Sequence, residues 1–182
     1  KSLFSVMTDE LTGQIENLIG DIRKDFSDIT PERLNKRPSN GGWSAAQCLQ
    51  HILRTNEAYG PAFKNILAKD HKQEFWEKIS PFTATTGRGL HVQIGHPVIR
   101  KFKAPLIFHP DREPATADFI SELIIHFESF KESVSLIMAS RAGRKVLRSP
   151  VSKLITLHAD DTCKALVSHA HRHIEQARKA LS

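Results

Sequence analysis

Apolar side chains recur at three- and four-residue steps in four separate stretches of this 182-residue chain. That spacing places the apolar side chains along one face of an α-helix, so each stretch predicts an amphipathic helix. The four stretches together predict an all-α fold. The first stripe lasts about six turns and consists of Phe4, Met7, Leu11, Ile15, Leu18, Ile22 and Phe26.

The start of the second helix is marked by a cap. Pro31 and the segment 35–42, which contains two glycines and a proline, are expected to break the chain before it. Ser44 is a favourable N-cap residue, and Gln47 follows at the spacing of a capping box. Pro61 lies inside the run and is expected to kink or divide this helix.

The third and fourth helices are predicted over about residues 114–142 and 160–181, with Gly143 as a stop signal after the third. Between the second and third lies a long, irregular segment over about residues 70–113. A connector of this length is uncommon in a compact domain and is usually functional. It also allows the helices on either side to run parallel, whereas a short turn would make them antiparallel. We expect a single domain over residues 1–182.

Composition narrows the class of protein. The net charge is +6, but the basic residues are scattered and do not alternate with aromatic residues, which disfavours nucleic-acid binding. No apolar run approaches the roughly 20 residues that cross a bilayer. The two cysteines provide no disulfide framework, which fits a reducing, cytoplasmic setting.

Two histidines near the C-terminus share one face of the fourth helix. His169 and His173 are four residues apart, so their imidazoles leave the helix about one turn apart. His51 lies on the second helix. On a helical wheel of about 100° per residue, His51 lies on one flank, or shoulder, of its own helix's apolar stripe, and His169 lies on the corresponding shoulder of the stripe on the fourth helix. The three imidazoles can therefore meet if these helices pack antiparallel. His171 falls on the opposite shoulder and is predicted to face solvent.

Three histidines with an open coordination position are typical of a catalytic divalent metal site. The alternative is that histidines at this spacing are merely exposed or half-buried polar residues. Cys163 lies on an apolar stripe and is predicted to be a core residue. Cys48 is close in angle to His51 and could neighbour the site, but it too is predicted to act as a small hydrophobic residue. The remaining histidines are expected on the surface or in the connector: His71, His91, His96, His109, His126 and His158. Of these, His91, His96 and His109 could line a pocket if the connector folds over it.

The order and spacing of these motifs resemble the DinB/YfiT-like superfamily. The residues that carry the resemblance are Trp43, Ser44, His51, His169, His173 and Gln176. Softer matches are Pro38, the segment Lys103–Pro110 before the third helix, and Arg148–Pro150 before the fourth. The resemblance covers nearly the whole chain.

Membership of this superfamily would imply a four-helix bundle with up-down-down-up connectivity. It would make His51, His169 and His173 the ligands of a divalent metal, commonly zinc or nickel, and Trp43 and Ser44 structural residues. Characterised members include S-transferases and isomerases that use the thiols bacillithiol or mycothiol, and many others are described only as metal-dependent hydrolases. Despite the family's DNA-damage name, nothing in this sequence indicates a DNA enzyme.

The leading hypothesis is a metal-dependent enzyme, a hydrolase or a thiol S-transferase, that acts on a small molecule and has no nucleic-acid or membrane partner. The metal would lower the pKa of a bound water or thiol. The alternative is a non-catalytic helical bundle that binds a small molecule or a protein partner. A homodimer is compatible with either hypothesis. The sequence identifies no general base and no organic cofactor.

Overall fold

The structure is a computed structural model that describes residues 3–68, 104–110 and 114–182. Its helices in chain order are α1 (Leu3–Phe26), α2 (Pro31–Asn35), α3 (Ala45–Leu67), α4 (Phe119–Ala139) and α5 (Ala159–Leu181). The described chain is mostly helical, which confirms the predicted class. Four of the helices are long, and their apolar faces share one core.

The stripe predicted on α1 forms part of this core. Five of its members are buried: Leu11, Ile15, Leu18, Ile22 and Phe26. Met7 is half-buried and packs against the same core. Periodicity therefore identified the buried face of α1 correctly.

The predicted break after α1 contains the short helix α2. Pro31 begins it, where a missing backbone N–H costs nothing, and the Thr30 side chain caps it. Asn35 then exchanges two hydrogen bonds of 2.9 Å with the backbone of Ala115, just before α4. Gly41 has a φ of +74°, a conformation that favours glycine, in the loop that leads to α3.

The capping box predicted at the start of α3 is present. Ser44 Oγ accepts a hydrogen bond from the backbone N–H of Gln47, and the Gln47 side chain accepts one from the backbone N–H of Ser44, both at 3.1 Å. The helix continues through Pro61 to Leu67, so the proline does not divide it.

The region between α4 and α5 differs from the prediction. α4 spans Phe119–Ala139 and not the expected residues 114–142, and Gly143 lies in a separate 3-10 turn. Strands β1 (Val146–Ser149) and β2 (Ser152–His158) then form an antiparallel hairpin that the all-α prediction did not include.

Contacts with α3 hold the start of this hairpin in place. Lys145 Nζ donates to the carbonyl of Ile66 at 2.6 Å, and the Tyr59 hydroxyl hydrogen-bonds to Ser149. These contacts join residues far apart in sequence, which local periodicity does not report.

The long helices pack mainly in two pairs, α1 with α4 and α3 with α5. At the C-terminal ends of α1 and α5, Arg178 forms ion pairs with Asp21 and Asp25. Between α1 and α4, Lys131 lies 3.5 Å from Glu16. The close pairing of α3 with α5 brings together the two helices that carry the candidate histidines.

Most of the predicted connector, residues 70–113, lies outside the described residues, including His71, His91 and His96. In its described part a 3-10 turn, Leu106–Phe108, packs against α3 and buries Phe108. None of the helices in the described ranges is long and apolar enough to span a membrane.

Candidate metal centre

Three histidines meet between α3 and α5. His51, His169 and His173 are all buried, and one ligand nitrogen from each lies within 4.8 Å of the others. Nε2 of His51 is 3.1 Å from Nε2 of His169. The structure thus brings together the three side chains that the helical-wheel argument placed on matching shoulders.

The local sequence explains the position of each imidazole. The capping box sets the start of α3, and His51 follows seven residues after Ser44. The one-turn separation of His169 and His173 on α5 places their ring centroids 4.4 Å apart. The His51 ring centroid lies 4.9 Å from that of His169 and 4.4 Å from that of His173.

Trp43 forms one wall of the cluster. Its ring centroid lies 4.9 Å from that of His51 and 6.3 Å from that of His173. The indole is half-buried and packs against the core. This position agrees with the structural role implied for Trp43, because the indole restricts the orientation of both imidazoles.

The carbonyl of Phe108 orients His51. Nδ1 of His51 hydrogen-bonds to this oxygen, which lies 57 positions along the chain. With the Nδ1 proton donated to the carbonyl, Nε2 of His51 carries the lone pair and faces the other histidines. Metal-binding histidines commonly have such a carbonyl partner on the second ring nitrogen.

Burial keeps the three imidazoles neutral. Burial is the main cause of a lowered pKa in all three. It lowers the pKa of His51, lowers that of His173 to about 3 and holds that of His169 well below its usual range. The positive charge of Arg172 lowers all three pKa values further, whereas the Phe108 carbonyl raises that of His51. Metal ions bind the neutral form of imidazole, so the cluster is ready for a cation near pH 7.

The geometry fits a divalent ion. Two nitrogens bound to one zinc ion at about 2.0–2.1 Å and a tetrahedral angle are about 3.4 Å apart, close to the 3.1 Å between the Nε2 atoms of His51 and His169. Nδ1 of His169 is buried without a hydrogen-bond partner among the described residues, and the Gln176 side chain hydrogen-bonds to His173. Within the ranges described, no Cys, Asp or Glu joins this cluster. Neutral imidazole nitrogens suit several divalent transition metals, among them zinc, copper, iron and nickel.

Residues that the sequence argument set aside lie outside the cluster. His171 is half-buried in a cleft against α1, so it is less exposed than predicted. Cys48 and Cys163 are buried in the core with free thiols, as expected. Burial raises the pKa of Cys48 to about 12 and also raises that of Cys163, which makes both thiols unsuited as nucleophiles.

Three further histidines can be placed. His126 was expected on the surface, but it is half-buried and its Nε2 has no hydrogen-bond partner in the described part of the chain. His158 immediately precedes α5, and its Nδ1 lies 3.3 Å from the Arg144 carbonyl. His109 is exposed, with its ring centroid 6.3 Å from that of Trp43. His109 therefore lies near the cluster, which agrees with the expectation that it could line a pocket there.

Sequence reasoning missed two contacts of the site. It gave no partner to His51, although Phe108 lies in a segment that was noted as a family match. It treated Trp43 as a helix-start residue and did not predict that its ring covers two histidines. Both contacts depend on how the 104–110 segment and α5 pack on α3, and no local sequence pattern encodes that packing.

Fold and site together define a mostly helical protein with a buried three-histidine cluster that could hold a metal ion. A sequence model of the DinB superfamily matches residues 14–177. The chain belongs to the DinB superfamily. No curated protein matches the chain, and no solved structure matches it.

Proposed function

We propose that this protein is a metal-dependent enzyme in which His51, His169 and His173 hold a divalent ion, zinc or nickel. The observation that carries the proposal is the burial of three neutral imidazoles with their ligand nitrogens within 4.8 Å of one another. When bound, such an ion lowers the pKa of a water or thiol that occupies its remaining position. The reaction is then hydrolysis, or transfer of a low-molecular-weight thiol of the bacillithiol or mycothiol type to an electrophile.

The protein's own residues prepare the site for this role. The Phe108 carbonyl holds His51 with its Nε2 toward the other ligands. Trp43 packs against His51 and His173 and limits their rotation. Because burial keeps the imidazoles neutral, a cation does not have to displace protons from them near neutral pH.

Metal content of tag-free protein tests the proposal. We expect about one divalent ion per chain in the wild type, and loss of most of it in His51→Ala and His173→Ala, because removing one of three ligands leaves an incomplete site. His171→Ala is the matched control, since it removes a histidine from the same helix outside the cluster. The measurement is elemental analysis after dialysis against metal-free buffer.

Substoichiometric metal that these substitutions leave unchanged would overturn the metal centre. Activity of the loaded protein then separates the reaction types: release of p-nitrophenol from p-nitrophenyl acetate reports hydrolysis, and thiol-dependent consumption of 1-chloro-2,4-dinitrobenzene reports S-transfer. A protein that holds the ion but catalyses neither reaction would favour the non-catalytic binding module.

We further propose the up-down-down-up four-helix bundle for α1, α3, α4 and α5. Arg178 meets Asp21 and Asp25 near the ends of both helices, which supports parallel α1 and α5. The Lys145–Ile66 and His51–His169 contacts support antiparallel α3 and α5. Lys131 and Glu16 lie together between α1 and α4, and a cleft lined by Met7 and Met138 supports the antiparallel direction of these two helices.

We propose a single domain over residues 1–182 that acts in the cytoplasm on a small-molecule substrate, without a nucleic-acid or membrane partner, as a monomer or homodimer. Two free cysteines support the reducing compartment. DNA association that weakens steeply with salt would contradict the exclusion of nucleic acid.

A further inference from the structure

Arg172 is a cation beside the three-histidine cluster. It lies on α5 between His169 and His173, and at about 100° per residue it falls about 60° from His169, on the side away from the apolar stripe. It directly precedes His173 in the chain, and its positive charge lowers the pKa values of His51, His169 and His173.

Arg172 has no counter-ion in the described part of the chain. Its side chain is half-buried, and its Nε is buried without a hydrogen-bond partner there. Two other cations on the same helix are paired, Arg178 with Asp21 and Asp25 and Lys164 with Asp160 and Asp161. A partly buried guanidinium beside a cation site is a favourable place for a negatively charged group to bind.

The ligand set strengthens this preference for an anion. Neutral histidines leave the full charge of a divalent ion uncompensated, and among the described residues no carboxylate contributes to the cluster or shifts its pKa values. Arg172 adds one more positive charge at the same place. A planar guanidinium binds carboxylate or phosphate oxygens in a two-pronged arrangement.

We propose that Arg172 is the oxyanion-binding residue of this metal centre. It pairs with a carboxylate or phosphate group of the substrate, while another group of the same molecule, a thiol or a bond to be hydrolysed, lies at the metal. This inference rests on the proposed function and adds the substrate class: a small molecule with an anionic group near its reacting atom.

Two small thiols test the inference on the full-length, Co²⁺-loaded protein. Mercaptoacetate carries a carboxylate and 2-mercaptoethanol does not. The binding of each thiol to the metal is monitored through the change in the visible absorption of cobalt. We expect Arg172→Gln to reduce the preference for mercaptoacetate by about tenfold, the value of one charge-assisted hydrogen bond. The preference is measured as the ratio of the dissociation constants of the two thiols. This ratio is compared between variants, because the two thiols also differ in acidity.

Lys179→Gln is the matched control. It removes one positive charge from an exposed position near the end of the same helix and is expected to leave the ratio unchanged. Competition by acetate and by inorganic phosphate identifies which oxyanion Arg172 binds. Arg172→Lys keeps the charge without the planar fork and is expected to show an intermediate ratio, so it carries the test if the Gln variant does not fold.

Stability separates binding from a structural role. Because Arg172 is unpaired among the described residues, metal-free Arg172→Gln is expected to melt at the wild-type temperature or above it. A lower melting temperature would assign Arg172 a structural role and overturn the inference. So would an unchanged thiol ratio in a variant that holds its metal. Failure of the wild type to bind Co²⁺ would instead overturn the proposed function itself.

Discussion

At the scale of single residues, the site depends on imidazoles that are kept neutral by burial. His169 and His173 could be proposed from their spacing alone, since two residues four apart on a helix must share a face. The charge state of these rings could not be proposed in this way, because it depends on how completely α3, α5 and the 104–110 segment exclude water. The Phe108 carbonyl that orients His51 is a backbone atom, and no side-chain pattern marks it.

The stability of the metal-free protein is expected to fall as the pH decreases below about 6.5. The unfolded chain protonates its histidines near that value, whereas the folded protein resists protonation of His51 and His169, and of His173 until a pH of about 3. The unfolded state therefore binds more protons in this window. Each histidine contributes a loss of about 1.4 kcal/mol per pH unit at most.

Urea unfolding of the metal-free protein at several pH values between 4 and 8 measures this slope. His173→Gln is expected to have a shallower slope than the wild type, because it removes one of the buried imidazoles. Equal slopes in the wild type and His173→Gln would show that His173 is not held neutral by the fold.

At the scale of single elements, helix starts and faces followed from local chemistry. The stripe of α1 and the capping box of α3 involve residues within one or two turns of each other, so the sequence predicts them directly. The β-hairpin, in contrast, could not be predicted from local chemistry. Its strands are short, and contacts of Lys145 and Tyr59 with more distant residues hold it. The segment was predicted only as the approach to the last helix.

Ser44→Ala is expected to lower the free energy of unfolding by about 1 kcal/mol, the usual cost of removing an N-cap. The Ser44 side chain is buried, and its loss also removes one half of the capping box, leaving only the bond that the Ser44 backbone N–H donates to the Gln47 side chain. Chemical denaturation gives the free energy directly. Ser39→Ala, at an exposed position in the preceding loop, is the control and is expected to change it little.

At the scale of the whole molecule, the site exists only because α3 and α5 pack together. His51 and His169 are 118 residues apart, and a cation between them would join both helices as well as bind a substrate. Because the complete set of ligands is assembled only in the folded state, binding of the ion stabilises that state at the expense of the unfolded one.

Addition of Zn²⁺ to the metal-free protein is therefore expected to raise its melting temperature. At a free metal concentration of about 100 times Kd, the gain in unfolding free energy is about 2.7 kcal/mol. The gain is expected to disappear in His51→Ala and in the presence of a chelator, and to persist in His171→Ala. A wild-type melting temperature that does not respond to Zn²⁺ or Ni²⁺ would contradict a cation held by α3 and α5.

The sequence by itself determined the helical class, the apolar faces of the helices, the cap of α3 and the three histidines that could meet, because each of these depends on residue types at short, regular spacings. Only the tertiary structure decided the rest. It showed that the three imidazoles converge and are buried, that Phe108 and Trp43 hold them, that a hairpin precedes α5 and that Arg172 lies beside them without a described counter-ion. These features arise from packing between distant segments, which determines dielectric environment, hydrogen-bond partners and charge proximity.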